Sequence, residues 1–491
     1  MKKRLLVTLL SLCVVAGAVA QEEAQSQKEV KREAKDAATG QKYRRSSLCL
    51  IMLEDDKVMK GGLIKDAFLK ASMPDKYNDH NVGKRVFSMR EVKVTPEDAT
   101  RFEAAVKLGV ESEAAAVKAA SEIMDAEEPA AGEAPKKKKG GGGFGKLMNA
   151  VATTAVTGST APVMTKDEVD VASYKYICDN KFANEMVKRW FLDAEGKPSA
   201  ALMSERGLYD ASSEDIALAD LSQIGVEQLK YAGADLVNGT FVVVSRYNYI
   251  SKDDLVAQFE KAAMLVASTS DSKYATVTAK SSVVAFKAAL GEGYYVQTTS
   301  SLFQLHWNDE VSETFYQTMW DKPEAWADAD LFKFKYIGTE KAMANVKAGI
   351  FTKKSDAELI LGATMNAMDD VLAKLEKKYE VFKTKTPLVV KANEDGSVKL
   401  TAKIGLKEGL RGGDKFEVLM PTQDKKTLKT TYKRMGTIKV DKEQIWDNRH
   451  DAVEELKLKN ATQSFEETSF TLPKGASGNK YTSGLLIKQV K

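Results

Sequence analysis

The segment Asp356–Phe382 runs without a proline and carries Leu361, Met365, Met368, Leu372, Leu375, Tyr379 and Phe382 at intervals of three or four. That spacing puts one apolar stripe along a helix. The stripe covers only about three heptads, short for a coiled-coil seam, so a helix lying on a sheet is the expectation. After Pro387 the pattern changes. Val389-Val390, a turn at Asn393-Glu394-Asp395-Gly396 and Val398-Lys399-Leu400 read as a hairpin. Further β segments fit Phe416–Met420, Tyr432–Val440 and Leu485–Val490. Several short strands in so small a space predict a small β-barrel or sandwich over 386–491.

Upstream of the long helix, strands and helices mix. Ser46–Leu53 is a short apolar run of buried-strand type, and a helix over Gly62–Ala71 ends at Met73-Pro74-Asp75. Pro96, after Thr95, opens a second helix that reaches about Ala126. Residues 127–165 then bring Pro129 and Pro135, Lys136–Lys139 and Gly140–Gly143, a composition suited to a flexible loop. Helical spacing resumes after Thr165 at Val169, Ala172, Tyr176, Ala183, Val187 and Phe191, with Trp190 adjoining. These features define an α+β domain over 43–195. A second, mixed α/β domain is expected over 196–385. It holds a helix at Glu214–Tyr231, a buried strand at Thr240–Val244, a helix at Lys252–Val266 and β-rich segments at 275–289 and 293–307. A helix at 309–320, a strand at Leu331–Ile337 and the long helix 356–382 complete it. The fold class is therefore α+β: two mixed α/β domains, a long helix and a C-terminal β module.

The first twenty residues carry an address. Lys2, Lys3 and Arg4 precede the apolar run Leu5–Val15, and Ala18-Val19-Ala20 has the small-x-small pattern of a signal-peptidase site. The run is too short for a transmembrane helix, and no later segment qualifies as one. Residues 21–42, rich in Gln, Glu, Lys and Ala, read as a disordered leader. The expected location is the periplasm or outer envelope. The formal charge is +4, and three of those charges leave with the signal peptide. A near-neutral remainder lacks the basic footprint of a nucleic-acid binder. Cys49 and Cys178 remain, in an oxidising compartment that permits a disulfide, but both sit in apolar segments where a thiol packs as a small hydrophobe.

The chemical motifs are sparse. Gly140–Lys146 imitates a phosphate-binding loop, yet Leu147 stands where a magnesium-binding hydroxyl is needed and no buried strand precedes it. Residues 136–156, four lysines followed by a mildly apolar tract, are a candidate for peripheral membrane contact. His80, His306 and His450 are the only histidines and lie far apart, and no nucleophile elbow accompanies them. Asp309 follows His306 and Asp451 follows His450, spacings that arise readily by chance. No metal, cofactor or catalytic residue is assigned. The densest aromatic run is Phe303, His306, Trp307, Phe315, Tyr316, Trp320 and Trp326. It is expected as core, and as a ligand or partner surface only if Trp307, Trp320 or Trp326 is exposed.

Gly233–Thr240 resembles a recurrent helix-to-strand turn in α/β domains of curli-transport and flagellar T-ring envelope proteins. Gly405–Gly409 with Gly413–Val418 resembles the SH3-like modules that end some of them. Arg45–Leu48 and Pro74–Asn78 resemble an uncharacterised exported protein family of the Bacteroidota. Together these imply an envelope protein and transfer no functional residue. The expected role is non-enzymatic binding or assembly through contacts with an envelope protein. An exported hydrolase, or a glycan receptor using residues 303–326, is the alternative.

Overall fold

The computed structural model describes residues 46–55, 60–74, 76–125, 166–203, 236–268, 273–290, 293–347, 355–392, 398–423 and 430–450, with shorter stretches to 490. The signal peptide, the leader, the 127–165 loop with its Lys136–Lys139 and Gly140–Lys146 motifs, and the expected 214–231 helix lie outside them.

The architecture starts from β1 (Ser47–Glu54), in which every residue but the last is buried. A strand that is apolar on both faces needs neighbours along its edges and cover above and below. It pairs in parallel with the short strands β2 (Asn78–Asp79) and β3 (Val86–Ser88) on one side, and with β4 (Thr240–Ile250) on the other. Antiparallel β5 (Gly293–Leu305) and β6 (Phe334–Lys347) extend the sheet to six strands. The boundary drawn at 195/196 is thereby corrected. It falls inside one sheet, because β1 from the first region and β4 from the second lie side by side from Ser47↔Thr240 to Leu53↔Arg246.

Each face of this sheet has its own cover. On one face, Cys49, Ile51, Val242, Val244 and Phe303 pack against helices α3 (Lys166–Asp179) and α4 (Phe182–Phe191). Sequence spacing reads these two as one helical run; Lys181, at φ 54°, separates them. On the other face, Leu48, Leu50, Phe241 and Val243 meet α1 (Gly61–Lys70) and the long helix α8 (Asp356–Lys378). Helix α8 thus lies on the sheet, as its spacing predicts. Its buried face includes Met368, Leu372 and Leu375 of the expected stripe and is wider than it: Ile360, Ala363, Ala367 and Val371 are also fully buried, whereas Leu361 and Met365 are only partly so. Ser355 and Glu358 close a capping box at its start. Helix α2 (Pro96–Asp125) packs along β6, with Gly109 against the carbonyl of Tyr336.

The segment 275–289, expected as β-rich, is instead helix α6 (Ala275–Ala289). Thr276, Val277, Thr278, Val283 and Val284 favour strands on propensity alone. Packing decides otherwise: Ala279, Val283 and Phe286 fall on one helical face and meet Phe259, Ala262 and Ala263 of α5 (Lys252–Ser268). The rings of Phe259 and Phe286 stack at 4.0 Å. The expected 309–320 helix is α7 (Asp309–Thr314), continued by a π turn over Phe315–Met319.

The C-terminal module is a seven-stranded antiparallel sheet of order β7-β13-β10-β11-β12-β9-β8. Strands β7 (Thr386–Pro387) and β8 (Val389–Ala392) are separated only by Leu388, yet stand at opposite ends of that order. One residue cannot span an open sheet of seven strands about 4.8 Å apart. The sheet therefore curls until its edges nearly meet, a small barrel filled by Leu388, Leu400, Phe416, Val418, Ile438 and Ile487. Helix α9 (Ala452–Leu458) lies between strands β11 (Thr430–Val440) and β12 (Thr468–Thr471) in the chain, and β9 (Val398–Ala402), β10 (Lys415–Gln423) and β13 (Leu486–Gln489) complete the module.

Candidate interaction surface

The aromatic run is core. Trp326 is 0 % and Trp307 5 % exposed, and Phe315 sits among Trp307, Trp320, Trp326 and Phe332 with ring centroids 4.9–5.7 Å away. The Trp326 indole N–H donates to the Met319 carbonyl at 2.7 Å. Trp320 is half-buried at the margin of this cluster. Stacking on a sugar needs an open indole face, which Trp307 and Trp326 do not offer.

The histidines and cysteines are dispersed. His80 is buried, its Nε2 3.1 Å from the Met186 carbonyl and its ring stacked 5.1 Å from Trp190. His306 follows β5 and is half-buried; burial, reinforced by Lys335 and Lys333, holds its pKa below the ordinary imidazole value. His450 is exposed on the barrel module. Cys49 and Cys178 are not joined in a disulfide. Burial pushes the Cys49 thiol up to about 12, so it packs as a neutral side chain. Asp170 on α3 is buried and accepts hydrogen bonds from Ser301, Thr339 (3.1 Å) and Tyr336 (2.6 Å), which ties the helix to β5 and β6. Burial and the neighbouring carboxylate raise the Tyr336 phenol. Such a network rigidifies a core when all its members are satisfied.

A charged seam joins the barrel to the sheet. Lys76 pairs with Glu376, and Lys377 donates to the Gly409 carbonyl. A cavity of about 30 Å³ lies there between Lys76, Glu376, Lys383, Glu408 and Phe416. That is space for a water, not for a metabolite. Asp369, 8 % exposed on α8, faces this seam. Burial raises its pKa to about 7, aided by Glu408 and Asp370 and opposed by Lys407 and Lys76. In the unfolded chain the same carboxyl titrates near 3.8. The folded state therefore binds the extra proton between those values, and the Asp369 contribution to stability is lost as pH rises from about 4 to about 7. Asp369→Asn, neutral at every pH, is expected to leave stability near pH 4 almost unchanged. At pH 8 it is expected to add up to about 4 kcal/mol, read by urea denaturation at both pH values.

Among the described residues, the most exposed large apolar side chains cluster on the α5–α6 hairpin. Ser251 caps α5, its hydroxyl accepting from the Asp254 N–H at 3.1 Å. The two helices are held by their own small core of Ile250, Leu255, Phe259, Phe286 and Tyr295, which also anchors them to the ends of β4 and β5. The outer face of α6 carries Val277 and Val284, 67 % and 70 % exposed. Lys273, Lys280 and Lys287 are exposed at the interleaved positions. The order 277, 280, 284, 287 follows one side of the helix, and Lys273 stands in the turn just before its start. No acidic residue occurs from Lys273 to Leu290, so this face is both apolar and purely cationic. Leu265, Val266 and Tyr274, near the turn between the helices, are exposed as well. The sequence signal was there in the lysine–valine spacing, but it could be used only once 275–289 was known to be a helix. No helix of the described residues is long and apolar enough to cross a membrane. Among those residues there is also no cluster of His, Cys, Asp and Glu arranged for a metal. No protein-family model and no curated relative matches the chain.

Proposed function

We propose that this is an exported, non-enzymatic binding or assembly protein of the periplasm or outer envelope that docks an acidic protein surface onto the outer face of α6. The carrying observation is the Val277/Val284 stripe interleaved with Lys273, Lys280 and Lys287. Exposed branched side chains supply the apolar area that becomes dry on association, and the lysines steer and orient a complementary acidic face. The hairpin's small core, distinct from the two cores on the faces of the main sheet, supports the reading, because it holds this face outward at the ends of β4 and β5. The nearly neutral mature charge fits a partner chosen by one local patch rather than by a global field.

A photo-crosslinker placed at position 277 or 284 in cells is expected to capture one partner, and the same probe at Lys107 on α2 is not. With that partner purified, Val277→Asp/Val284→Asp in the full chain is expected to weaken binding at least about tenfold, with the melting temperature unchanged. Equal capture at 107 and 277, or undiminished affinity of the double variant, overturns the reading.

A further inference from the structure

A second feature, independent of the α6 face, is a cleft between α2, α3, the start of α4 and the segment 329–334. Its volume is about 260 Å³, close to the lower end of small-molecule sites, which run from about 300 Å³ upward. At about 30 Å³ per water it equals roughly eight or nine water-sized groups. The walls are apolar: Ala105 and Leu108 from α2, Tyr174 and Ile177 from α3, Phe332 and Phe334 from the segment before β6. The structure holds these walls in place. Asn184, buried at the start of α4, donates through its side-chain amide to the carbonyls of Trp326 (2.8 Å) and Ala329 (2.9 Å), pinning the 329 segment to the helix. Phe332 and Phe334 then continue into the main core. A cleft whose walls are fixed keeps its shape with or without an occupant.

The charge around the cleft has one dominant sign. Arg101, Lys181 and Lys333 stand along it against the single carboxylate of Asp330. Arg101 is shared with Asp98, 3.8 Å away. Lys181 precedes α4, and no side chain caps that helix start. The first N–H groups of a helix have no intrahelical acceptor and favour an anion. Cys178, the one thiol on the wall, is kept protonated by burial and therefore adds no negative charge. An apolar interior of this size with cations at its mouth matches a small monoanion carrying an apolar body.

We infer that this cleft binds a medium-chain aliphatic carboxylate or a ligand of the same chemistry, with the apolar chain against Ala104, Leu108 and Cys178, the wall residues that keep accessible surface, and the carboxylate at Lys181 and Lys333. The chain leaves water for a dry, preformed wall, and the headgroup keeps a cationic, solvent-accessible setting.

Octanoate is the probe, with octan-1-ol and octylammonium as matched neutral and cationic headgroups, titrated calorimetrically into the full chain. Octanoate is expected to bind at one site per chain, at least about tenfold tighter than octan-1-ol, and octylammonium to give no saturable heat. Lys181→Glu/Lys333→Glu, at a half-buried and an exposed position, is expected to weaken octanoate at least about tenfold while leaving the melt unchanged. Leu108→Trp, which fills the cleft, is expected to abolish binding; should that variant fail to fold, the lysine pair decides alone. No saturable octanoate binding, equal affinity for octan-1-ol, or binding untouched by the lysine reversals overturns the inference.

Discussion

Gly109→Val is expected to destabilise the protein by about 3 kcal/mol, and even Gly109→Ala is expected to cost stability. Both effects run against the ordinary rule, under which replacing a mid-helix glycine by alanine gains about 0.5–1 kcal/mol. The reason is where α2 crosses the edge of the sheet. A Cβ built at 109 would lie 1.8 Å from the Tyr336 carbonyl oxygen and 2.7 Å from its carbon. Both are backbone atoms of β6, so no side-chain rotation relieves the overlap; helix and strand must separate. Separation would also strain a contact one turn along. Glu113 accepts the N–H groups of Glu380 (2.7 Å) and Val381 (3.1 Å), closing the turn that follows α8. Gly62 in α1 is the internal control, since a Cβ there meets nothing within 4 Å. Gly62→Ala is expected to be neutral or to gain a few tenths of a kcal/mol. Urea denaturation of the three variants checks the pattern, and a stabilised Gly109→Ala would contradict the close crossing.

Lys488→Met is expected to cost about 3–5 kcal/mol at pH 7. Lys488 on β13 stands opposite Glu417 on β10 in the barrel sheet. Its Nζ lies 2.9 Å from both Glu417 Oε1 and Glu380 Oε1, and Lys383 holds the other Glu380 oxygen at 2.8 Å. All four side chains are 9 % exposed or less. Removing one cation leaves Glu417 buried without its counter-charge, and its Oε2 already has no hydrogen-bond partner. The double variant Lys488→Met/Glu417→Leu is expected to recover most of the loss, because two apolar groups in a dry site can replace a buried pair at little cost. Burial opposes ionisation of Glu380, but Lys383 and Lys488 more than offset it and hold its carboxyl below the usual 4.5. Its contribution is therefore present above that value and lost as pH falls through the lower, folded-state one. Wild type and Lys488→Met are expected to converge in stability on acidification, as followed by denaturant midpoints from pH 7 down to pH 3.

Sequence reasoning found many of the described helices and strands because their signals are local. Pro96 after Thr95 marks the start of α2, the three-and-four spacing from Leu361 to Leu375 marks α8, and the turn at 393–396 marks the hairpin of β8 and β9. It went wrong where local preference and packing disagree, most clearly at α6, whose valines and threonines read as strand until Phe286 meets Phe259. Gly109 looked like any small residue in an alanine-rich helix, because nothing nearby in the chain announces a strand more than two hundred residues later.

The sequence alone determined the α+β class, the change to short strands after Pro387 and the poverty of catalytic motifs, since composition and periodicity are properties of neighbouring residues. Only the tertiary structure decided that β1 and β4 share one sheet, that Trp307 and Trp326 are core, that Asp369 and Lys488 are buried ionisable groups, and that α6 turns Val277, Val284 and its lysines outward. Those facts depend on which distant segments exclude water from one another. Side-chain exposure and desolvation follow from that, and no window along the chain contains them.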